Sequence, residues 1–181
     1  MSGLTPDDLV AIEEIRGLAL RYALAVDRRD LDALVALFVD DVDAGAHGVG
    51  REALKASFTE SLRAVGVTML FVGNHLVELD ADDHDLARGT VYCLGRIQAG
   101  PGSPRMIEQA IQYSDRYRWS DGEWRFVGRK HELFWGVELD ERPLAQPPAD
   151  WPQTVTLPGS PPNCWMLSCT QRRAAISSSN A

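Results

Sequence analysis

The chain has 181 residues, 45% of them hydrophobic and 24% charged, a balance typical of a soluble globular domain with a real core. Its formal net charge is −8, which argues against a nucleic-acid partner, because phosphate binding needs a basic face. No stretch approaches the roughly 20 apolar residues that span a bilayer, and Met1–Asp8 has neither the basic region nor the apolar run of a signal peptide. The cysteines Cys93, Cys164 and Cys169 form no zinc or disulfide framework, so free thiols and a cytoplasmic setting are expected.

Thr5-Pro6-Asp7-Asp8 starts a helix: Thr5 caps, Pro6 suits the first helical position, and the two acids favour the positive end. Leu9, Ile12, Ile15, Ala19, Tyr22 and Val26 follow at helical spacing, with Arg28 and Arg29 at the negative end. Asp30 caps a short second helix through Leu31, Leu34, Val35 and Phe38. Val39 to Val49 reads as strand or loop. Gly50 opens a third helix, with Leu54, Phe58, Leu62 and Val65 on one face and Gly66 ending it.

After Gly66 the period changes to that of strands. Val67–Leu79, Leu86–Ile97, Met106–Trp119 and Trp124–Val137 form four long strands, separated by turns at 80–83, 99–104 and Asp121-Gly122. Helices first and a meander afterwards give an α+β fold, not alternating βαβ units. Strands of this length with internal glycines at Gly73, Gly89, Gly95 and Gly128 call for bulges and bends. Such a sheet curls around something. The expected fold is three N-terminal helices packed into a strongly curved, mostly antiparallel sheet, a cone with an internal pocket. The domain covers residues 1–142. Seven of the ten prolines lie at or after Pro143, so residues 143–181 read as an extended tail with a disordered end, which Trp151 and Trp165 would pin to the body or to a second subunit.

Two residues stand out from this frame. Asp27 lies at the last turn of the first helix, where the macrodipole disfavours an anion. His75 lies mid-strand beside Asn74, and strict alternation puts Phe71, Gly73, His75 and Val77 on one face. A carboxylate on the second nitrogen of a buried imidazole fixes its tautomer and stabilises its cation, which makes a general base.

With Arg21-Tyr22-Ala23-Leu24-Ala25-Val26-Asp27-Arg28-Arg29-Asp30, the Asn74-His75 strand, Val91-Tyr92-Cys93-Leu94-Gly95 and Asp121-Gly122-Glu123-Trp124-Arg125-Phe126 in these places, residues 5 to 145 resemble the SnoaL-like branch of the nuclear transport factor 2-like superfamily. The dehydrochlorinase, bile-acid 7α-dehydratase and scytalone dehydratase group is the nearest in kind. The resemblance implies a His–Asp pair that takes a proton from substrate carbon: His75 as base, Asp27 as its partner, and Tyr22 and Arg129 as hydrogen-bond donors to the carbonyl or leaving oxygen. The dehydrochlorinase has a lysine at the Tyr22 position, which speaks against halide elimination here. Tyr22 and Asp27 are five residues apart, about 140° round a regular helix, so both cannot face one ligand unless the helix ends or bends between them.

Phe38, Met69, Phe71, Tyr92, Tyr113 and Trp135, with His131 beside Arg129, would wall a site for a hydrophobic cyclic, steroid- or polyketide-like substrate. Each is equally readable as plain core. No cofactor is implied: metal-ligand spacing and a phosphate-binding glycine loop are both missing from the sequence. The reading is therefore a cofactor-independent lyase of dehydratase type. A ketosteroid-type isomerase and a non-catalytic binding or scaffold module are the alternatives. A homo-oligomer, dimer or trimer, is implied by the resemblance alone.

Overall fold

A computed structural model describes residues 4–139. The expectations for residues 143–181, including Trp151, Trp165, Cys164 and Cys169, lie outside the described residues. The elements are α1 (Pro6–Arg28), α2 (Leu31–Ala36), a single 3₁₀ turn (Gly45–His47), α3 (Arg51–Arg63), β1 (Thr68–Leu79), β2 (Leu86–Gln98), β3 (Met106–Ser120) and β4 (Glu123–Leu139). The four strands form one antiparallel sheet in the order β1-β2-β3-β4, with helices on one side: the expected α+β architecture. The sheet is not closed, since β1 and β4 do not pair.

The local chemistry explains each boundary. Thr5 and Asp8 form a reciprocal capping box, with the Thr5 hydroxyl accepting from the Asp8 N–H at 3.2 Å and Asp8 accepting from the Thr5 N–H at 2.8 Å. The other end of α1 stops at Arg29, which takes the left-handed conformation at φ 58°. Asp30 then caps α2 by accepting from the Ala33 N–H at 3.0 Å. The β3–β4 turn has positive φ at both Asp121 (55°) and Gly122 (82°), the two-residue geometry whose twist matches a hairpin.

The helices bury Ile15, Leu18, Ala19 and Val26 of α1 and Leu34 and Val35 of α2. Ile15 and Leu18 pack with Phe38, Val39, Val42, Tyr117, Trp124 and Phe126 in the largest cluster. Leu20 and Leu24 face outward at about half exposure, so α1 carries apolar surface on two sides. The segment after α2 hydrogen-bonds to the free edge of β4: Phe126 N–H donates to Leu37 O (2.9 Å) and Val39 N–H to Phe126 O (3.0 Å). This link carries the helical layer over the sheet.

Bulges set which side chains face the helices. In β1, Val72 pairs with Cys93 but His75 pairs with Val91, so Gly73 and Asn74 oppose a single residue, Tyr92. In β4, further bulges fall opposite Arg116/Tyr117 and Ala110/Ile111. The first of these rephases β1. Thr68, Leu70, Val72, His75, Val77 and Leu79 point inward, while Met69 and Phe71 point outward at 52% and 64% exposure. Strict alternation through Gly73 therefore puts Phe71 on the wrong side of the sheet relative to His75. Phe71, Leu94, Ala110 and Trp135 align in register across all four strands on the face away from the helices.

Candidate active site

Beneath the helices the inner face of β3 and β4 carries an interlocked polar cluster. Asp115 is buried and pairs in register with Arg129. Arg129 donates to it twice, Nε to Oδ1 at 2.8 Å and Nη2 to Oδ2 at 2.7 Å, with both side chains almost fully enclosed. Burial works against the Arg129 cation, but the hydrogen bonds and charge of Asp115 outweigh it, so the guanidinium stays charged. Its flat face lies 4.2–4.6 Å from the ring centres of Tyr22, Tyr113 and Phe126. Three aromatic rings thus take the place of water around it.

Asp115 also accepts from the Tyr117 hydroxyl at 2.8 Å. That hydroxyl lies 3.1 Å from Nε2 of His75. Because the phenol gives its proton to the carboxylate, its oxygen accepts from His75, and the ring proton sits on Nε2 with Nδ1 left as a lone pair. Burial pushes the His75 pKa down to about 4, which keeps the ring neutral at pH 7. Gly89 makes the contact possible: a β-carbon there would lie 2.9 Å from the Tyr117 hydroxyl and 3.2 Å from His75 Nε2.

Asp27 is held elsewhere. Its carboxylate accepts from the Thr68 hydroxyl (3.0 Å) and from the Leu70 N–H (3.1 Å) at the start of β1. Burial raises its pKa, against the opposing effects of these two donors and of Arg29. Leu70 and His75 are five residues apart along a bulged strand, on the order of 13 Å. No hydrogen bond or ion pair joins Asp27 to His75. α1 runs against β1 so that its last turn meets Leu70, while Arg16, three turns earlier, is the α1 charge nearest in effect on His75. The carboxylate wired to His75 is Asp115, through Tyr117.

A cavity of about 350 Å³ opens between α1, α3 and the inner face of β3 and β4. Tyr22, Phe38, Tyr113, Arg129 and His131 all line it, together with Asp43 and Phe58. Tyr22 thus points into the cavity while Asp27, five residues on, points to β1, as the helical angle between them requires. Arg129 commits Nε and Nη2 to Asp115, and the hydroxyls of Tyr22 and Tyr113 make no hydrogen bond among the described residues. His131 sits beside Tyr113 in register, exposed at the open end of the cavity, and the desolvation it has there lowers its pKa. His75 does not line this cavity.

The remaining expected wall residues lie on the opposite face. Met69, Tyr92 and Trp135 are 52%, 43% and 47% exposed there. Phe71 and Tyr92 border a separate depression of about 250 Å³ with Asn74, Leu94 and Phe134. The physical reason is the β1 bulge for Phe71, and for Trp135 the bulge at Leu133/Trp135 opposite Ala110.

Sequence reasoning missed Asp115, Tyr117 and Asp43. The first two left a signal: an acid flanked by tyrosines at alternate positions, in phase with buried Ile111, is a charge that cannot face solvent. Asp43 left none, because it lies in a segment with no periodicity. Among the described residues no group of His, Cys, Asp or Glu is arranged to hold a metal ion.

Residues 7–130 match the SnoaL-like domain family, and the chain belongs to it. Among solved structures it is similar to the hexachlorocyclohexane dehydrochlorinase LinA type 2, at 22% identity and a TM-score of 0.67, covering 78% of this chain and 97% of that one. A scytalone dehydratase-like protein of Novosphingobium aromaticivorans aligns at 23% identity and a TM-score of 0.63, over 80% of this chain and 99% of that one. The LinA type 3 dehydrochlorinase of Novosphingobium barchaimii LL02 aligns at 22% identity and a TM-score of 0.64, over 78% and 98% of the two chains. These likenesses show a shared fold, helices on one face of a four-stranded antiparallel sheet. None of the curated proteins matches the chain.

Proposed function

We propose that this chain is a cofactor-independent lyase of dehydratase type that acts on a hydrophobic cyclic substrate, steroid- or polyketide-like in shape. The observation that carries this is the cavity in which the hydroxyls of Tyr22 and Tyr113 and the Asp115-held guanidinium of Arg129 meet the imidazole of His131 at its open end. The fold shared with LinA and scytalone dehydratase-like proteins supports the same class.

In this reading the substrate carbonyl oxygen accepts hydrogen bonds from Tyr22 and Arg129, where negative charge grows as a proton leaves the neighbouring carbon. His131 takes that proton. The electron pair of the C–H bond becomes the new double bond, and the leaving hydroxyl departs with the proton returned by the imidazolium, as water. Asp115 holds Arg129 in place and cancels its charge. His75, with Asp27 assigned to it by the resemblance, is the competing base. Its free Nδ1 and its tether through Tyr117 suit the role, but its place outside the cavity favours His131.

The test is a screen of cyclic β-hydroxy ketones with detection of the dehydrated product by mass. His131→Ala is expected to cut turnover by about 10² or more, the usual scale for a general base, with His75→Ala within a few-fold of the wild type. The opposite pattern assigns the base to His75. A product of unchanged mass but shifted double bond assigns the isomerase reading, and binding without turnover of any member assigns the non-catalytic one.

The proposal extends to a homo-oligomer, dimer or trimer, assembled through the outer face of the sheet. It also places the chain in the cytoplasm. Cys93 is a buried free thiol, with its pKa pushed up to about 11 by burial, and no helix of the described residues is long and apolar enough to cross a membrane.

A further inference from the structure

We infer that the cavity selects uncharged ligands, with an acceptor oxygen at its buried end and a donor group at its exposed end, and rejects carboxylates of the same shape. The inference rests on the cavity assignment above and names the substrate class within it.

At the buried end, the only cation lining the cavity among the described residues is Arg129, and Asp115 already neutralises it through two charge-assisted hydrogen bonds. Asp115 is itself 3% exposed and takes a third hydrogen bond from Tyr117, so it cannot turn away to release the guanidinium. What remains available there is hydrogen-bond donation without net charge, from the hydroxyls of Tyr22 and Tyr113 beside the neutralised guanidinium. A neutral carbonyl or phenol oxygen uses those donors at full value. A carboxylate would add an unpaired anion beside a buried one, a desolvation cost that a neutralised arginine does not repay.

The exposed end sharpens the discrimination. Asp43 lines the same cavity, and its Oδ1 accepts only from the Gly45 N–H at 2.8 Å, so its charge is not cancelled by a cation. His131, being neutral, does not offset it. An anionic ligand therefore meets a net negative lining, whereas a ligand hydroxyl at this end finds an acceptor. The two ends together fit a hydroxy ketone or a phenol, and oppose a keto acid.

Three probes share one bicyclic frame: 2-tetralone, 2-naphthol and 2-naphthoate. Their affinities are measured by calorimetry at pH 7.5 with the full chain. The ketone and the phenol are expected to bind at least 10-fold more tightly than the carboxylate. Asp115→Asn, which frees the Arg129 charge, is expected to reverse the order. Should that variant fail to fold, Asp43→Asn carries the test: it narrows the gap between naphthoate and tetralone by tightening naphthoate several-fold. Wild-type binding of naphthoate as tight as that of tetralone overturns the inference, as does a gap that Asp43→Asn leaves untouched. Failure of all three to bind overturns it together with the cavity assignment. Neutral-selective binding with no turnover of any hydroxy ketone upholds the inference while removing the lyase reading.

Discussion

At the scale of single residues, the buried hydrogen-bonded line from His75 through Tyr117 and Asp115 to Arg129 is the most tightly determined part of the molecule. Each link makes a separate demand. Tyr117→Phe leaves Asp115 short of a donor and His75 short of an acceptor, a loss of about 1–3 kcal/mol in urea unfolding. Arg129→Met leaves an uncompensated buried carboxylate, and about 3–5 kcal/mol is expected from the same measurement. His75 has a pH signature. Its folded pKa, about 4, lies below the unfolded value near 6.5, so the unfolded chain takes up the proton first as pH falls. Its contribution to stability is complete above about pH 6.5 and declines toward pH 4. His75→Gln should therefore flatten the stability profile between those limits relative to the wild type. A profile unchanged by the substitution would show that the ring titrates normally.

Much at this scale was legible beforehand. Tyr22, Arg129 and His131 are identifiable from spacing and resemblance, and all three line one cavity. The partner of His75 is not legible, because it depends on a bulge at Gly73-Asn74 that shifts the strand by one residue. A glycine in a strand signals a bulge but does not say on which side of it the phase changes.

At the scale of elements, the strands and their turns follow closely from the period of the sequence, and the four strand boundaries differ from expectation by at most two residues. The join between α1 and the sheet was harder to foresee. Arg29 is fully buried, in left-handed backbone, and its guanidinium donates to Val26 O (2.6 Å), to Thr68 Oγ1 (2.7 Å) and to Gly66 O. Burial lowers its pKa, and neighbouring Asp27 opposes that shift. Asp27 and Arg29 together fasten the end of α1 to the start of β1, which explains why an acid stands at the unfavourable end of this helix. Arg29→Gly keeps the backbone conformation at ease and removes the fastening. It should cost about 2–4 kcal/mol in chemical unfolding, whereas Gly122→Ala, at φ 82° in the last hairpin, should cost about 1 kcal/mol.

At the scale of the whole molecule, the two faces of the sheet are unlike. The inner face carries the cavity and the charged cluster. The outer face presents Phe71, Leu94 and Trp135 in one row, each roughly half exposed or more, and in the next row Met69 and Val137 flank the Arg96–Glu108 ion pair. An apolar row of this kind marks an association surface. Sedimentation of the full chain is expected to give an oligomer, and Phe71→Asp combined with Trp135→Asp to give a monomer. A monomeric wild type would remove the assembly proposed above.

The strand order β1-β2-β3-β4 also bears on how the chain reaches this state. Every strand pairs with the next one along the chain, so the sheet can assemble by successive hairpins, beginning at the tight Asp121–Gly122 turn, with little loop entropy lost at each step. The attachment of Leu37–Val39 to Phe126 spans nearly ninety residues of chain and cannot benefit from that zippering. The slow step of folding is then the arrival of the helical layer on a finished meander. In a refolding experiment, amide protection in β3 and β4 should precede protection of Val39 and of α1, and the cavity should be the last feature to exist.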